Sequence, residues 1–403
     1  MPGPLHGICV IDLTSMVSGP LATMTLADQG AEVIKIEHPA GGDHTRKVAG
    51  RRGGVAASYL NNNRNKRSVT LNLKDPRGVE AVMRLAATAD VLVQNFRPGV
   101  AERLGLGEGA VRAASPNIVY VSIAGFGFEG PYAQKPVYDP LVQALSGLTT
   151  VQAASDQVRP RLIRTILPDK LTGIQAAQAI TAALLARART GEGQHVRLSM
   201  LDTVVAFLWS SDMTGHTFVG DETVEEAQSF ADLIYATSDG YMSVSAMSDK
   251  DWRALSMAVG RHDWLEDPRF LTPALRDANK EARLALTQSV LETRTTAEWL
   301  AIMEAHDVPC APVLTRAEVV AHPQIAANGS LQEYDHPVAG RLRQARHPAQ
   351  FSATPPDAPR AAPALGQDTQ AVLAEAGYSE SQIEALIADG VATQPAEAAE
   401  TGT

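Results

Sequence analysis

The feature that most constrains this chain is the spacing of short apolar runs through its first 125 residues. Ile8–Leu13, Glu32–Ile36, Ser68–Leu71, Asp90–Val93 and Ile118–Val121 read as strands. Gly19-Pro20 opens a helical stretch, Leu21–Gln29, that Gly30 ends, and a second helix reads from about Pro76 to Ala87. Apolar strands this short, separated by helices, fit a parallel sheet covered on both faces. The pattern predicts an α/β fold with a Rossmann-like large domain. The dinucleotide fingerprint GxGxxG is absent. After the first strand the chain reads LTSMVSGPLA, with one glycine where three are needed. The later GFGFEG, Gly125–Gly130, follows a strand but leads into Pro131-Tyr132 rather than a helix. A nicotinamide oxidoreductase is therefore disfavoured.

Beyond this region, Ile166–Arg189 reads as a long helix with Pro168-Asp169 at its start and Gly191 near its end. His195–Ser199 reads as a strand and Met200–Trp209 as a helix, followed by a polar, acidic connector over 214–231. A second unit, about Leu233–Val313, carries a strand pair (Leu233–Tyr235, Tyr241–Val244) and helices near Asp249–Val259, Asn279–Glu292 and Thr296–Asp307. Strand signals resume after Pro323, including Arg341–Arg343, with a helix near Thr369–Ala376. The expected division is 1–200 as the large domain, 201–230 as connector, 231–315 as a smaller α+β domain, 316–389 as connector and return to the large domain, and 390–403 as a disordered tail.

A formal net charge of -10 argues against nucleic acid as a partner, while leaving room for a local basic pocket. Two cysteines, Cys9 and Cys310, are too few for a disulfide framework, and no spacing suggests a metal site. No basic leader with a long apolar stretch, and no run of about 18 apolar residues, suggests a signal peptide or membrane span. A cytoplasmic setting is expected.

Several residues can carry chemistry. A carboxylate at a helix start, as at Asp169, is commonly a cap. The same place can hold an ionised carboxylate that attacks a thioester. The run Asn61-Asn62-Asn63-Arg64-Asn65-Lys66-Arg67 is either a solvated loop or a set of phosphate partners. Asn95-Phe96-Arg97-Pro98 lies past the carboxyl end of a strand, where open α/β sheets bind ligands. There Phe96 could stack on an adenine and Arg97 or Arg103 meet a phosphate, or the segment is an ordinary turn. His38, His44, His195 and His306 form no metal spacing.

In order, the segments GICVIDLTSMVSGP, GAEVIKIEHPAGGDHTR, NNNRNKRSVTLNLK, VLVQNFRPGV, AGFGFEGPY, VYDPLVQALSGL, LPDKLTG, RTGEGQHVRLSMLD and DVPCAPV resemble the family III CoA-transferases, the CaiB/BaiF family. That resemblance implies a CoA-transferase with Asp169 as nucleophile, acting on an acyl-CoA and a small carboxylic acid. CoA is then a substrate, with no tightly bound cofactor and no metal. The resemblance places Val17 and Ser18 on the loop that contacts CoA. His38 stands where formyl-CoA transferase has an arginine at the nucleotide end. Leu71, Asn72, Lys74, Asn95, Phe96, Arg97 and Arg103 match positions lining the CoA site. Val137, Tyr138 and Asp139 match a segment near the pantetheine and the catalytic centre. It also implies an interlocked homodimer.

Racemases of the family carry a histidine where this chain has Tyr138. A tyrosine, with an ordinary pKa of about 10, is a poor base at neutral pH, so transferase is favoured over α-methylacyl-CoA racemase. A non-catalytic acyl-CoA-binding protein would not need Asp169. Formyl-CoA transferase has a glycine run over its active site; here only Gly220 and Gly240 lie between Phe218 and Tyr241, which speaks against an oxalate/formate pair.

Overall fold

The computed structural model describes residues 3–48, 50–153, 158–220, 232–246 and 248–395. It resolves into two compact units, one of Met1–Ala227 with Ser330–Thr403, the other of Gln228–Gly329.

The first unit is built on six parallel strands. They are β1 (Cys9–Asp12), β2 (Glu32–Glu37), β3 (Lys66–Thr70), β4 (Val91–Gln94), β5 (Val119–Ala124) and β6 (His195–Ser199). Their order in the sheet is β3-β2-β1-β4-β5-β6, and every neighbouring pair is parallel. This is a doubly wound order, reversing direction between β1 and β4. One apolar layer packs Ile11, Leu92 and Tyr120 with Ala81, Val82 and Leu85 of helix α1 (Pro76–Ala86). The opposite layer packs Val10, Val33, Val91 and Val119 with Ala22 and Leu26 of the Ser18–Asp28 helix and with Ala176 and Ile180 of the Leu167–Thr190 helix. Small aliphatic side chains fill both layers, as the low aromatic content requires.

The sheet departs from a purely apolar interior in one place. Asp12, Lys35, Glu37 and Lys66 lie on buried strands, each at most 4% exposed. Lys66 Nζ meets Asp12 Oδ2 at 3.0 Å, and Lys35 Nζ meets Asp43 Oδ2 at 3.0 Å. Arg46 holds Glu37 through two nitrogens, Nε to Oε2 at 2.7 Å and Nη2 to Oε1 at 2.6 Å. Three anions and three cations thus neutralise one another. Burial alone would raise the Asp12 carboxyl, but the Lys66 and Lys35 ammoniums and the Thr14 and Thr23 hydroxyls hold it well below the usual range. Burial pushes Lys66 down to about 8 against the pull of Asp12.

The basic, Asn-rich run proves to be internal. Asn61–Asn63 ends the short helix Ala57–Asn63. Arg64 pairs with Asp28 at 2.5 Å, Lys66 with Asp12, and Arg67 with Glu32 and Glu375, each at 2.7 Å. These cations are spent on the fold and do not form a phosphate site. The chain end differs from expectation too. Val391 and Ala392 are buried in the apolar layer beside Leu71, and Thr393 N–H donates to Thr70 Oγ1 at 2.7 Å. The tail expected to be disordered from residue 390 therefore packs through Thr393. Residues 396–403 lie outside the described residues.

The second unit holds the antiparallel strands β7 (Ile234–Ala236), β8 (Tyr241–Val244) and β9 (Cys310–Pro312), with β8 central. Its core stacks Trp252 on Trp264 with Phe270 edge-on. It also takes in two short helices, Arg316–Ala321 and Pro323–Ala327, from the region read as connector. Most of the acidic connector, 221–231, lies outside the described residues. Among the described residues no helix is long and apolar enough to cross a membrane.

Removing one member of a buried ion pair strands its partner at a cost of about 3–5 kcal/mol. Urea denaturation of Lys66→Met is expected to show a loss of that size. A change below about 1 kcal/mol would contradict the account of these buried charges.

Candidate active site

The reversal of strand order opens a crevice outside the carboxyl ends of β1 and β4. The loop leaving β1 is fixed there at each residue. Lys35 Nζ donates to Thr14 O at 2.8 Å. Ser15 and Asn95 bond reciprocally, with Ser15 N–H to Asn95 Oδ1 at 3.0 Å and Asn95 Nδ2 to Ser15 O at 2.8 Å. Met16 takes a left-handed backbone, φ 72°, and donates its N–H to Asp43 Oδ1 at 3.2 Å. A left-handed conformation costs a non-glycine residue about 1 kcal/mol or more, so it persists only where bonds hold it. The loop then enters helix α2 (Ser18–Asp28) at Val17. Gly19 packs so closely on Thr14 that a methyl group there would collide.

A second helix carries the candidate reactive group, Asp169. We label Asp139–Leu145 α3 and Leu167–Thr190 α4. Gly173 of α4 lies against Ser18 O and Leu21 of α2, with little room for a Cβ. This close crossing brings the start of α2 to Asp169, in the first turn of α4. The half-buried Asp169 carboxylate lies near the Ser18 backbone N–H and hydroxyl, which favour its charged form. The α4 N-terminus has no side-chain cap of its own, so Asp169 is not serving as one. Instead the buried Asp139 carboxylate accepts the Asp169 N–H at Oδ2, 3.2 Å. Its other oxygen accepts Gln143 Nε2 at 2.7 Å. Gln143 in turn accepts Ile163 N–H at 3.0 Å and reaches Thr165 O at 3.2 Å.

This arrangement tunes Asp169. Burial and, next, the Asp139 carboxylate raise it to about 6, while the Ser18 N–H and hydroxyl pull it back. A carboxylate in this state is largely ionised near neutral pH. It is also less stabilised than one in water, hence more basic as a nucleophile.

The expected CoA-site residues fall along the carboxyl edge of the sheet, in strand order. Lys74 and Asn72 follow β3, His38 follows β2, Val17 and Ser18 follow β1, and Asn95, Phe96 and Arg97 follow β4. Lys74, His38, Arg97 and Arg103 are exposed. The Arg103 guanidinium folds back to within 3.2 Å of where a Cβ on Gly99 would stand. Asn72 is held by donating its N–H to Val391 O at 2.7 Å. Three of the expected residues serve the site differently from a lining role. Leu71 is 1% exposed in the core, so its side chain lines no surface. Phe96 is half-buried against the same core, its N–H bonded to Gln94 Oε1 at 2.8 Å. Asp139 has both oxygens engaged as described and holds the start of α4. Tyr138 is 69% exposed, and Val137 packs against Gly125. His195 is a structural residue, its Nε2 2.9 Å from Ser122 Oγ.

Sequence reasoning passed over Gln143, Asp43 and Lys35. A signal for Lys35 and Asp12 existed. Strands buried on both faces should read as unbroken apolar runs, and charges inside CVID and EVIKIE break that rule. Gln143 gave no such signal, because apart from Asp139 its partners come from residues 20 and more positions away.

With fold and site in view, comparison with known proteins places the chain. The family CoA-transferase family III matches residues 5–369. Succinyl-CoA:glutarate CoA-transferase of Mus musculus is 33% identical over 400 residues, covering 97% of this chain and 91% of the relative. Formyl-CoA:oxalate CoA-transferase of Escherichia coli O157:H7 is 32% identical over 412 residues, covering 96% and 99%. A crystal structure of a CaiB/BaiF family protein from Brucella suis superposes with a TM-score of 0.81 at 32% identity, covering 93% of this chain and all of that one, 100%. The chain belongs to CoA-transferase family III and is an enzyme of that family.

The rate kcat/KM for an acyl-CoA is expected to fall as pH drops through about 6, where Asp169 takes up a proton. Asp139→Asn removes the neighbouring charge and is expected to move that limb to lower pH. A limb that stays in place would show the two carboxylates to be uncoupled.

Proposed function

We propose that this enzyme moves coenzyme A from an acyl-CoA donor to a free carboxylic acid, with Asp169 as the nucleophile. The observation that carries the reading is the Asp169 carboxylate itself, placed at the junction of two helix starts and raised to about 6. An Asp169 oxygen attacks the thioester carbonyl, the C–S bond breaks, and CoA leaves as thiolate from a mixed anhydride. The thiolate attacks the aspartyl carbonyl of that anhydride, giving an aspartyl-CoA thioester and releasing the donor acid. The acceptor carboxylate then displaces CoA thiolate to form a second anhydride. Attack of the thiolate on its acyl carbonyl yields the new acyl-CoA and free Asp169. Each step alternates between an oxyanion and a thiolate, so the cycle calls on no metal or redox cofactor. Ser18 N–H and hydroxyl, already directed at Asp169, are the donors we assign to the oxyanion that forms there.

The exposed cations Lys74, Arg97 and Arg103, with His38, are the proposed partners of the CoA phosphates. Their positions past the ends of β2, β3 and β4 suit an extended ligand running toward Asp169. We also propose a homodimer. Ile174 and Leu185 on α4, and Phe207 and Trp209 on the Met200–Trp209 helix, are large apolar side chains 46–60% exposed. Such a patch is the mark of a covered surface. With two unpaired cysteines and no membrane-length helix among the described residues, the cytoplasm is the setting we favour.

The protein is expected to exchange CoA between acyl-CoA donors and free acids, read by mass spectrometry, and Asp169→Asn is expected to lose at least about a thousandfold. Exchange undiminished in Asp169→Asn would overturn the mechanism. A chiral 2-methylacyl-CoA incubated in deuterated water is expected to gain no α-label. Label with inversion would instead assign a racemase.

A further inference from the structure

Two carboxylates meet at the start of α4, and on acidification the first proton that the pair binds goes to one of them. Catalysis by Asp169 depends on where that proton goes. Gln143, on α3 one turn after Asp139, is neutral and 2% exposed. It takes no part in the bond changes above, yet its amide is fully engaged. Oε1 accepts the Ile163 N–H at 3.0 Å. Nε2 donates to Asp139 Oδ1 at 2.7 Å and reaches Thr165 O at 3.2 Å and Ile163 O at 3.4 Å.

Those partners leave the amide one orientation. The Ile163 N–H needs an acceptor, so the amide oxygen faces it. Two carbonyls and a carboxylate need donors, so the nitrogen faces them. Asp139 is thereby met by an N–H at each oxygen, Gln143 Nε2 at Oδ1 and the Asp169 N–H at Oδ2, 3.2 Å. At 4% exposure it has little solvent to turn to instead. Donors at both oxygens favour the charged form, because a proton added to either competes with a bond already made. Asp169 is favoured in its charged form by Ser18 and opposed by burial and by the Asp139 charge. The other charges on the packed elements are turned elsewhere. Lys170 Nζ donates to Thr165 Oγ1 at 2.8 Å, and Asp202 of the Met200–Trp209 helix accepts the Ser199 hydroxyl at 2.7 Å. Arg161 and Arg164, before α4, are exposed, and α2 carries no charge until Asp28, which pairs with Arg64.

We propose that Gln143 is a positioning residue: its amide holds Asp139 as a charged acceptor for the Asp169 N–H, and so leaves Asp169 as the carboxyl of the pair that gains and loses the proton. The same amide ties residues 163–165, which lead into α4, to α3. One side chain therefore sets both where Asp169 stands and which state it is in. This inference deepens the Asp169 reading above and rests on it.

The test uses the full-length enzyme with an acyl-CoA donor and a free acid that exchange CoA in the mass-spectrometric assay above. Gln143→Met keeps the length of the side chain and removes the amide. Asp139 then loses the closer of its two donors and competes for the proton. Once it is neutral, its charge no longer opposes ionisation of Asp169. The acid limb of kcat/KM is expected to move to lower pH. About one pH unit below the wild-type midpoint, the variant is expected to keep at least about twice the fraction of its plateau rate that wild type keeps. The plateau itself is expected to fall about tenfold, because the segment leading into α4 is less well held. Gln143→Asn, a methylene shorter, keeps an amide for Ile163 but falls short of Asp139. It is expected to move the limb the same way by less, and it carries the test should Gln143→Met fail to fold. In an Asp139→Asn background, Gln143→Met is expected to move the limb no further. A plateau that falls while the limb stays fixed, as a purely structural role produces, overturns the proposal. So does a limb that moves to higher pH, or one that Gln143→Met still moves in the Asp139→Asn background. Exchange undiminished in Asp169→Asn, or no exchange with any donor and acid, would instead overturn the Asp169 reading, and this proposal with it.

Discussion

The buried charge set under the β1 loop is the constraint on which the rest of the site depends. Asp12, Lys35 and Lys66 sit where a parallel sheet would otherwise be apolar, and they are tolerable only as a neutral, bonded group. Lys35 joins two parts of the set: it pairs with Asp43 and also donates to the Thr14 carbonyl. Asp43 then fixes Met16 in its left-handed conformation. The loop is thereby bound from below by charges and from the side by Asn95, before it delivers Ser18 to the start of α2. An apolar replacement of the whole set would satisfy the sheet and leave the loop without those anchors.

From that fixed loop the chemistry follows by packing. Gly19 and Gly173 are small because α2 must approach the loop and α4 must approach α2. The two helix starts meet, and Asp169 lies where Ser18 can donate to it. Asp139 then does two things at once. It satisfies the α4 N-terminus in place of a side-chain cap, and its charge raises the neighbouring carboxylate. The energetic cost of two adjacent carboxylates is offset by the amide of Gln143 and by backbone N–H groups. On the proposed mechanism, function and stability oppose each other at Asp169, and the surrounding bonds hold the balance.

Much of this was legible in the sequence, and the parts that were not have physical reasons. The strands β1 to β6 and the α4 helix follow from periodicity, with boundaries within a few residues of those observed. The aspartate at the start of α4 was visible, yet its residue type and position fit a cap equally well. Only the ordered family segments separated the two readings. The run from Asn61 to Arg67 was read as either a solvated loop or a set of phosphate partners. Its cations instead find partners on α2, β1, β2 and near the C-terminus, which no local pattern can reveal. For the same reason the tail at Val391 read as disordered: its composition is polar and small, but its apolar pair docks into a layer formed by distant segments. Tyr138 and Asp139 are adjacent in sequence and opposite in fate, one exposed and one buried, because α3 begins between them.

The central claim is that Asp169 becomes covalently bonded to substrate during turnover. Brief incubation with an acyl-CoA followed by borohydride or hydroxylamine, then peptide mapping by mass spectrometry, tests it most directly. The account predicts modification confined to the peptide containing Asp169, dependent on the acyl-CoA and absent from Asp169→Asn. Productive CoA exchange with that peptide unmodified, or with another residue modified in its place, would contradict it.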